Sequence, residues 1–443
     1  MNTKSTNLDT FIAPGTTPKP RFLDKIAKRS LFSRLKGLHD GEIVIHDEGE
    51  VYRFGKTTTR CPLSVTIKVK SPAFYSDIAF GGSIGAGEAY MANYWQANNL
   101  TRLVRILLCN RDVLDGMEGG LAVLTGPLQK SFHWFNRNTQ QGSRANIAAH
   151  YDIGNDFFKL MLDDTMMYSS AIFPTPDTSL LDAQVHRLDL ICSKLDLQPD
   201  DHLLEIGTGW GGLAIHAAKQ YGCKVTTTTI SREQYEFAYE RVKAEGLEDR
   251  VTLMLEDYRN LNGQYDKLVS IEMIEAVGHQ YYDTYFAKCG SLLKPDGMML
   301  LQAITIADQL YKNATKSVDF IQRYIFPGSC IPSVTAITDS ITRTTDMRLF
   351  DLDDIGPHYA TTLRKWRENV NNHLSEIRAM GYSNEFLRMW EFYLCYCEGG
   401  FMERSISDVH MLLVKPDNRS IGMNYRNDPE NCSSTTRYYA DMN

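Results

Sequence analysis

The run HLLEIGTGWGG at residues 202–212 restricts the possible folds of this chain more than any other segment. An apolar stretch ends at the acidic residue Glu205. Glycines follow at once, at Gly207, Gly209 and Gly211. Glycine has no Cβ and tolerates positive φ, so a strand that ends in such a loop brings its backbone close to a ligand. The run therefore predicts a strand, a loop and a helix that together bind a nucleotide-type cofactor.

The acidic residue at the end of this strand indicates which cofactor is bound. Dinucleotide enzymes usually have an apolar residue there, because the pyrophosphate lies over the helix N-terminus. The Glu205 carboxylate would repel a pyrophosphate. It would attract a ligand that carries an ammonium and a sulfonium, by Coulomb energies on the order of a few kcal/mol when the charges are partly desolvated. The spacing predicts S-adenosylmethionine rather than NAD; a helix-entry loop without a ligand is the alternative.

The order of strands and helices predicts the fold class. From about residue 146, apolar strands alternate with helices, and the strands read HLLEIG, CKVTTTTIS, RVTLMLED, YDKLVSIEMIE and GMMLLQAITI. Such alternation predicts an α/β fold with a doubly wound, Rossmann-like parallel sheet. Ligands of such sheets lie at the carboxyl ends of the strands. We therefore look for functional residues at those ends.

The length of 443 residues exceeds what one ordinary core supports, so two domains are expected. Before the sheet, residues 41–70 alternate as short strands, and a helical pattern follows Pro72, which indicates a small α+β domain. The expected organisation is a first domain at 1–112, a Gly-rich linker at 113–145, a second domain at 146–416 and a disordered tail at 417–443.

Composition limits the function classes. Apolar residues make up 43% and charged residues 23%, as in soluble globular proteins. No apolar run approaches a membrane span, and the polar start lacks the pattern of a signal peptide, so we expect a cytoplasmic protein. A net charge of −7 argues against a nucleic-acid partner. The nine cysteines form no CxxC pair, so no metal site is expected.

A basic segment at residues 19–36 departs from the acidic average. It carries seven cations against the single Asp24, and apolar residues recur among them near helical spacing. One interpretation is an amphipathic helix that lies on an anionic membrane surface. The other is a helix that packs one face on its own domain. The sequence alone does not decide between these two interpretations.

Candidate cofactor contacts follow the second and third strands of the sheet. Thr229 and Ile230 end the second strand, and Gln234 lies one turn into the next helix, within reach of ribose hydroxyls. The acidic ribose ligand of many nucleotide sites is missing at this point. Asp257 and Tyr258 follow the third strand and are candidates to bind the adenine amino group and to cover its face. A solvated turn is the alternative for each of them.

Candidate catalytic and substrate residues lie further along the chain. The fourth strand runs into IEMIEAVG and places Glu275 over the cofactor. A buried carboxylate there is unfavourable unless it has a hydrogen-bond or charge partner or a functional role. Aromatic residues are dense at 150–174, at 320–333 around Tyr324 and at 389–404. Core helices would explain them. They also provide more aromatic lining than a small polar metabolite requires, which favours an apolar substrate.

Several of these motifs occur together in one known family. The segments HYDIGNDFFKLMLD, YSSAIF, LEIGTGWGG, TISREQ, YDKLVSIEMIEAVG, RYIFPGSCIPS and WEFYLCYCEGGF resemble, in order and spacing, the cyclopropane fatty acid synthase family. The mycolic acid cyclopropane synthases are similar to it. The resemblance covers about residues 145–415, and the first domain resembles the family's lipid-binding domain more loosely.

The resemblance implies a class I methyltransferase sheet and a reaction on membrane phospholipid. In the family, S-adenosylmethionine alkylates the cis double bond of an unsaturated acyl chain, and proton loss from the resulting carbocation closes a cyclopropane. Attachment to the inner face of the membrane is also implied, and a homodimer is allowed. The cofactor contacts implied at matching positions are Tyr168, Ser169, Gly207, Gly209, Thr229, Gln234, Asp257 and Tyr258.

The resemblance also implies a bound bicarbonate as the base. Its family ligands match Glu275, Tyr324 and the backbone amide of Ile304. The family cysteine is replaced by Ser170, and the family histidine by Gln302. Ser and Gln still form hydrogen bonds but supply neither a thiol nor a cation.

These departures leave the product open between a cyclopropane and a methylene or methyl branch. Aromatic faces at Phe158 and Tyr324, with the Glu275 carboxylate, are candidates to stabilise the carbocation. Two other function classes remain. A small-molecule methyltransferase would share the sheet and the glycine loop, and a silent lipid-binding protein would bind without turnover.

Overall fold

The structure is a computed structural model that describes residues 22–119 and 153–419. The chain separates into two compact units, Met1–Thr125 and Gly126–Asn443. Within the two described ranges, no helix combines the length and the apolar character needed to cross a membrane. A helix covers the first residues of the expected linker, and the remainder of that linker and residues 420–443 lie outside the described residues.

The first unit contains a four-stranded sheet and four described helices. Its elements are α1 (Phe22–Leu35), β1 (Gly41–Asp47), β2 (Glu50–Lys56), β3 (Ser64–Val69), α2 (Ala73–Met91), β4 (Trp95–Ala97), α3 (Leu100–Cys109) and α4 (Arg111–Gly119). The strand order is β2-β1-β3-β4, with β1 antiparallel to β2 and parallel to β3. Glu48 and Gly49 both have positive φ at the β1–β2 turn, as two-residue hairpins require.

Helix α1 packs one face on its own unit. Ala27, Leu31 and Leu35 are buried along that face. Lys28 Nζ lies 2.5 Å from Asp47 Oδ2 in an ion pair that joins α1 to β1. The packing interpretation of the basic segment is therefore correct for this face of the helix.

The second unit contains a seven-stranded sheet between helices. Its elements are α5 (Asn155–Met161), α6 (Leu180–Lys194), β5 (His202–Ile206), α7 (Gly212–His216), β6 (Lys224–Thr229), α8 (Arg232–Ala244), β7 (Val251–Leu255), β8 (Tyr265–Ile271), α9 (Tyr282–Leu292), β9 (Leu293–Ile306), α10 (Asp308–Ala314), α11 (Phe320–Tyr324), α12 (Val334–Thr344), β10 (Arg348–Asp354), α13 (Gly356–Asn372), α14 (Leu374–Ala379), α15 (Asn384–Met402) and β11 (Ile406–Val414).

The strand order of this sheet is β10-β11-β9-β8-β5-β6-β7. Strands β5 to β9 pair in parallel, which confirms the predicted doubly wound α/β fold. Strand β11 lies antiparallel between β9 and β10, a feature that the expected parallel sheet did not include.

The two faces of the sheet carry separate hydrophobic cores. Successive side chains of a strand point to opposite faces, so Leu203 and Leu204 of β5 enter different clusters. Leu204 packs in the cluster that contains Phe286, and Leu203 packs in the cluster that contains Leu213. Burial on both faces explains why β5 has apolar residues at consecutive positions. The polar residues that follow them meet at one edge of the sheet.

Candidate active site

The glycine loop after β5 leaves its backbone open. Gly207, Gly209 and Gly211 have φ values of 102°, 51° and 86°, which glycine adopts without strain. The Gly207 N–H donates to Thr228 O of the neighbouring strand at 3.0 Å. A Cβ at Gly209 would meet nothing within 4 Å among the described residues. The loop therefore offers the uncovered backbone that the sequence predicted for a cofactor.

Glu205 is buried at the end of β5, with 3% of its surface exposed. Its Oε2 accepts a hydrogen bond from Thr227 Oγ1 at 2.6 Å, and Thr227 Oγ1 lies 2.7 Å from Thr208 Oγ1. Burial raises the pKa of this carboxyl to about 8. The group is therefore mostly neutral near neutral pH, and a nearby cation would favour its ionised form.

The predicted ribose contacts lie together at the end of β6. Thr229 Oγ1 donates to Gln234 Oε1 at 2.9 Å. Ser231 caps α8, because its Oγ accepts the Gln234 N–H at 3.2 Å. Ile230 is half-buried between them. The three predicted residues thus share one short segment beside the glycine loop.

The predicted adenine contacts follow β7. Asp257 is buried, and both its carboxylate oxygens accept from Arg259, at 2.8 Å from Nε and 2.7 Å from Nη2. Its side chain also caps the turn that begins at Tyr258. The Tyr258 ring packs edge-on against Tyr285. The structure therefore assigns the Asp257 carboxylate to Arg259, and an adenine amino group would have to share it.

Glu275 and Ile304 are brought together, as the resemblance implied. Glu275 lies in a short helical turn after β8, and its Oε1 accepts the Ile304 N–H of β9 at 2.5 Å. Its Oε2 is buried and finds no hydrogen-bond partner among the described residues. Burial and then the charge of Glu272 raise the pKa of Glu275 to about 8. The Glu275 backbone oxygen accepts the Cys330 N–H, six residues after Tyr324 at the end of α11.

Ser170 and Gln302 meet through a residue that the sequence reasoning missed. Glu272 Oε1 accepts both the Ser170 N–H and Gln302 Nε2, each at 2.8 Å. Gln302 Nε2 also donates to Asp408 Oδ2 at 2.8 Å, while Ser170 Oγ donates to its neighbour Ala171 O. The sequence signal for Glu272 was the first acidic residue in IEMIE, directly after the strand.

Further buried polar groups complete this cluster. Arg187 of α6 is fully buried and donates from Nη1 to Gln302 Oε1 at 2.9 Å. His410 Nε2 lies 3.1 Å from the same oxygen, and Tyr359 donates to Glu272 Oε2 at 2.6 Å. His410 could not be predicted from a local pattern, because it is the pairing of β11 with β9 that places it opposite Gln302.

The loop before α6 contributes the next predicted contacts. Tyr168 Oη lies 3.0 Å from Tyr393 Oη, and its ring lies 5.2 Å from that of Trp366. Ser169 Oγ is buried and has no hydrogen-bond partner among the described residues, although its carbonyl accepts from Gln184. A buried hydroxyl of this kind is suited to a ligand.

Phe158 is part of the aromatic core. It is fully buried, with ring centroids 4.9 Å from Trp210 and 5.3 Å from Tyr168. The core-helix interpretation is therefore correct for this residue, and it does not line an open cleft. Residues 150–152 of the same motif lie outside the described residues.

Comparison with known proteins identifies the family. A family model described as mycolic acid cyclopropane synthetase matches residues 138–411. The chain belongs to this family. It is 40% identical over 352 residues to tuberculostearic acid methyltransferase UfaA1 of Mycobacterium tuberculosis (strain ATCC 25618 / H37Rv), covering 75% of this chain and 79% of that protein. It is 40% identical over 343 residues to cyclopropane-fatty-acyl-phospholipid synthase of Escherichia coli (strain K12), covering 77% and 85%.

Solved structures of the mycolic acid cyclopropane synthetase family support the same assignment. The crystal structure of mycolic acid cyclopropane synthase CmaA1 complexed with SAH and CTAB is 30% identical, with a TM-score of 0.58, and covers 61% of this chain and 98% of that chain. The structure of cyclopropane synthase MmaA2 from Mycobacterium tuberculosis is 32% identical, with a TM-score of 0.57. The chain is an S-adenosylmethionine-dependent methyltransferase, and the predicted fold and cofactor are confirmed.

The residues present fit this cofactor. The open face at Gly209 leaves room for a ligand, and the Ser169 hydroxyl lacks a protein partner among the described residues. Thr229 and Gln234 lie at the next strand end. We propose that these groups would hold S-adenosylmethionine.

Proposed function

We propose that this methyltransferase alkylates the cis double bond of an unsaturated acyl chain in a membrane phospholipid, and that proton loss then closes a cyclopropane ring. The observation that carries the proposal is Glu275, at the same sheet edge as the glycine loop, a buried carboxyl with one oxygen that no described residue satisfies. The name of the Escherichia coli relative, cyclopropane-fatty-acyl-phospholipid synthase, supports an acyl-chain substrate.

The chemistry explains why such a site is needed. When bound, S-adenosylmethionine supplies an electrophilic methyl group. An alkene is a weak nucleophile, so the protein has to hold it in line and exclude water. Glu275 supplies negative charge where positive charge develops on the acyl chain, and its burial strengthens that interaction. The Ile304 N–H fixes the orientation of the carboxyl through Oε1 and leaves Oε2 for the reaction.

The direct test uses phospholipid vesicles with unsaturated acyl chains, S-adenosylmethionine and the purified protein. Lipid mass spectrometry should show a gain of one CH₂ per double bond, and vesicles with saturated chains are the control. The proposal is wrong if a preparation that binds S-adenosylmethionine leaves the unsaturated lipid unchanged. Methylation of a soluble acceptor would select the small-molecule alternative, and binding without turnover would select the silent lipid-binding protein.

A methylene-branched product is the second candidate for this site. Ser170 and Gln302 replace the family cysteine and histidine, and Glu272 connects them. A displaced base would give the carbocation time for a hydride shift before proton loss. The relative named tuberculostearic acid methyltransferase is consistent with variation in product. NMR of the modified lipid distinguishes ring protons from exocyclic olefin protons and decides between the two products.

We also propose that helix α1 contacts the membrane, so that the protein is peripheral on the inner face of the bilayer. Phe22, Leu23 and Ile26 are 77%, 55% and 42% exposed, respectively. Lys25 and Arg29 are exposed on the same helix, where they can meet anionic headgroups. These exposed residues support the membrane interpretation for the start of α1, whereas Ala27 and Leu31 pack on the unit.

Vesicle co-sedimentation tests this contact. The double variant Phe22→Ser and Leu23→Ser should bind anionic vesicles about tenfold more weakly or worse, because two large apolar side chains no longer enter the bilayer interface. Tyr239→Ser is the matched control, since Tyr239 is 43% exposed on helix α8 of the second unit. Equal loss in both variants would contradict a contact through α1.

A further inference from the structure

The groups that the family resemblance implies as bicarbonate ligands already form hydrogen bonds to other groups of the protein. Both amide hydrogens of Gln302 are used, by Glu272 and Asp408. Its carbonyl oxygen lies within hydrogen-bond distance of Arg187 and His410.

Ser170 and Ile304, two of the other implied bicarbonate ligands, also form hydrogen bonds within the protein. Ser170 Oγ donates to Ala171 O, so that hydroxyl hydrogen is not directed at an ion. The Ile304 N–H is bonded to Glu275 Oε1. Of the five groups implied by the resemblance, three are therefore occupied, and the site does not fit a bicarbonate as it stands.

A side-chain carboxylate lies at the same positions. Glu272 Oε1 accepts from the Ser170 N–H and from Gln302 Nε2, and Oε2 accepts from Tyr359 Oη. Glu272 is half-buried, whereas its partner Asp408 is fully buried, so Glu272 is the member of the pair that has contact with open space. Positions 170 and 302 thus bind a carboxylate that belongs to the chain itself.

We propose that Glu272 takes the place of bicarbonate and receives the proton that the alkylated acyl chain loses. This inference rests on the proposed function. For the ring, a C–H bond of the transferred methyl group breaks, and its electron pair forms the C–C bond between the methyl carbon and the cationic carbon. For a methylene branch, a hydride first shifts so that the cation lies on the carbon that bears the methyl group, and the electron pair of the broken methyl C–H bond then forms the C=C bond. The proton joins a Glu272 carboxylate oxygen and later leaves to water. No further reactant is required.

The backbone conformation of Glu272 supports a functional role for its side chain. Its φ is 46°, a left-handed conformation that costs an L-residue with a Cβ roughly 1 kcal/mol or more. The Glu272 N–H donates to Gln302 O at 2.8 Å, which anchors this conformation. Glycine would be more stable there, so the retained side chain has a use other than stability.

The surrounding charges fit a proton acceptor. Arg187 supplies one buried positive charge, and Tyr359 donates to the carboxylate. Burial and the charge of Glu272 raise the pKa of Asp408 well above its usual range, so Asp408 carries the proton of this pair. Burial and the charge of Glu272 raise the pKa of Glu275, so Glu275 ionises when positive charge lies beside it. Burial also raises the pKa of Glu272, while the hydrogen bonds from Tyr359 and the Ser170 N–H and the charge of Arg187 oppose this rise and favour its ionised form.

The test compares turnover with and without bicarbonate. In CO₂-depleted buffer, the wild-type protein should modify unsaturated vesicles at the same rate as in bicarbonate buffer. Glu272→Gly relieves the backbone and removes the carboxylate, so the variant should fold yet lose turnover by about 100-fold or more. Added bicarbonate or formate should restore part of that rate. Glu48→Gly is the matched control, because Glu48 has a φ of 49° and is exposed in a hairpin of the first unit.

A binding measurement separates this inference from the proposed function. The ¹³C NMR signal of labelled bicarbonate should broaden with Glu272→Gly and not with the wild-type protein. Glu272 is structural only, and the inference is overturned, if the wild type requires bicarbonate and binds it. Loss of turnover in Glu272→Gly without rescue by either anion would likewise overturn it. If the wild type consumes no S-adenosylmethionine with unsaturated vesicles in either buffer, the proposed function fails. The NMR experiment still decides whether the Glu272 carboxylate or bicarbonate lies at positions 170 and 302.

Discussion

Glu205 and Glu275 are buried carboxyls whose hydrogen bonds differ. Glu205 receives a hydroxyl donor from Thr227, whereas Glu275 Oε2 receives none among the described residues. A buried carboxyl without a donor is destabilising unless it stays neutral. Both groups have a pKa of about 8, which fits the neutral form. We therefore expect each carboxyl to ionise when positive charge on the cofactor or on the substrate lies beside it.

Replacing Glu275 should separate chemistry from binding. Glu275→Gln keeps the size of the side chain and an acceptor for the Ile304 N–H, but removes the negative charge. We expect turnover to fall by about 100-fold or more, because charge stabilisation in the transition state is lost. The affinity for S-adenosylmethionine, measured by calorimetry, should be unchanged. A similar loss in both quantities would show that Glu275 binds the cofactor.

Glu205 should make stability depend on pH. Its pKa is raised from 4.5 to about 8, so the folded protein holds a proton that the unfolded chain releases in this interval. The contribution of Glu205 to stability is therefore fully present below pH 4.5 and is lost as the pH rises through about 8. Glu205→Gln removes this dependence and keeps an acceptor for Thr227.

Glu205→Gln should raise the stability of the protein at high pH but weaken its binding of the cofactor. Urea unfolding should show Glu205→Gln more stable than the wild type at about pH 9, with a smaller difference at about pH 5. Its affinity for S-adenosylmethionine should fall by about tenfold or more, since a charged partner of the cofactor is gone. An equal change in stability at the two pH values would mean that the Glu205 carboxyl does not titrate as described.

At the scale of elements, the glycine loop between β5 and α7 can be tested by a matched pair. Gly209 and Gly246 have φ values of 51° and 65°, and a Cβ at either position would meet nothing within 4 Å among the described residues. Alanine at either site should therefore cost similar folding energy, about 1 kcal/mol. Only Gly209→Ala should weaken S-adenosylmethionine binding, because its Cβ enters the space beside the loop. Similar affinities in both variants would place the cofactor elsewhere.

The elements differ in how far sequence could predict them. Strand β5 is an apolar run, β6 is rich in β-branched threonine, and both are bounded by turns or helices, so their residues alone indicate strands. Strand β10 reads RLFDLDD and is largely exposed, which gives it no such pattern. The insertion of β11 between β9 and β10 depends on pairing between distant segments, and no local pattern encodes it.

The active site shows the same division. Glu275 and the glycine loop each belong to one strand end, so a local pattern was sufficient to predict them. The cluster around Glu272 requires α6, β9, α13 and β11 to meet, through Arg187, Gln302, Tyr359 and Asp408. Expected roles for Ser170 and Gln302 changed because the structure directs their hydrogen bonds to protein partners.

At the scale of the whole molecule, charge sets a condition on membrane contact. The net charge is −7, so the protein as a whole is repelled by an anionic bilayer, and attraction has to come from a local basic surface. Lys25 and Arg29 at the start of α1 are exposed, whereas Lys28 is paired with Asp47. Each exposed cation near an anionic surface contributes about 1 kcal/mol at moderate salt. Binding should therefore depend on both the salt concentration and the lipid charge.

Turnover on vesicles should reveal this dependence. Raising the salt from about 0.05 M to about 0.5 M shortens the Debye length, so turnover should fall on anionic vesicles and change little on neutral ones. The double variant Lys25→Glu and Arg29→Glu should already be slow on anionic vesicles at low salt and should lose the salt effect. Cofactor affinity, measured under the same conditions, reports any direct action of salt on the second unit. A parallel decline on neutral and anionic vesicles would show that α1 does not recruit the protein by charge.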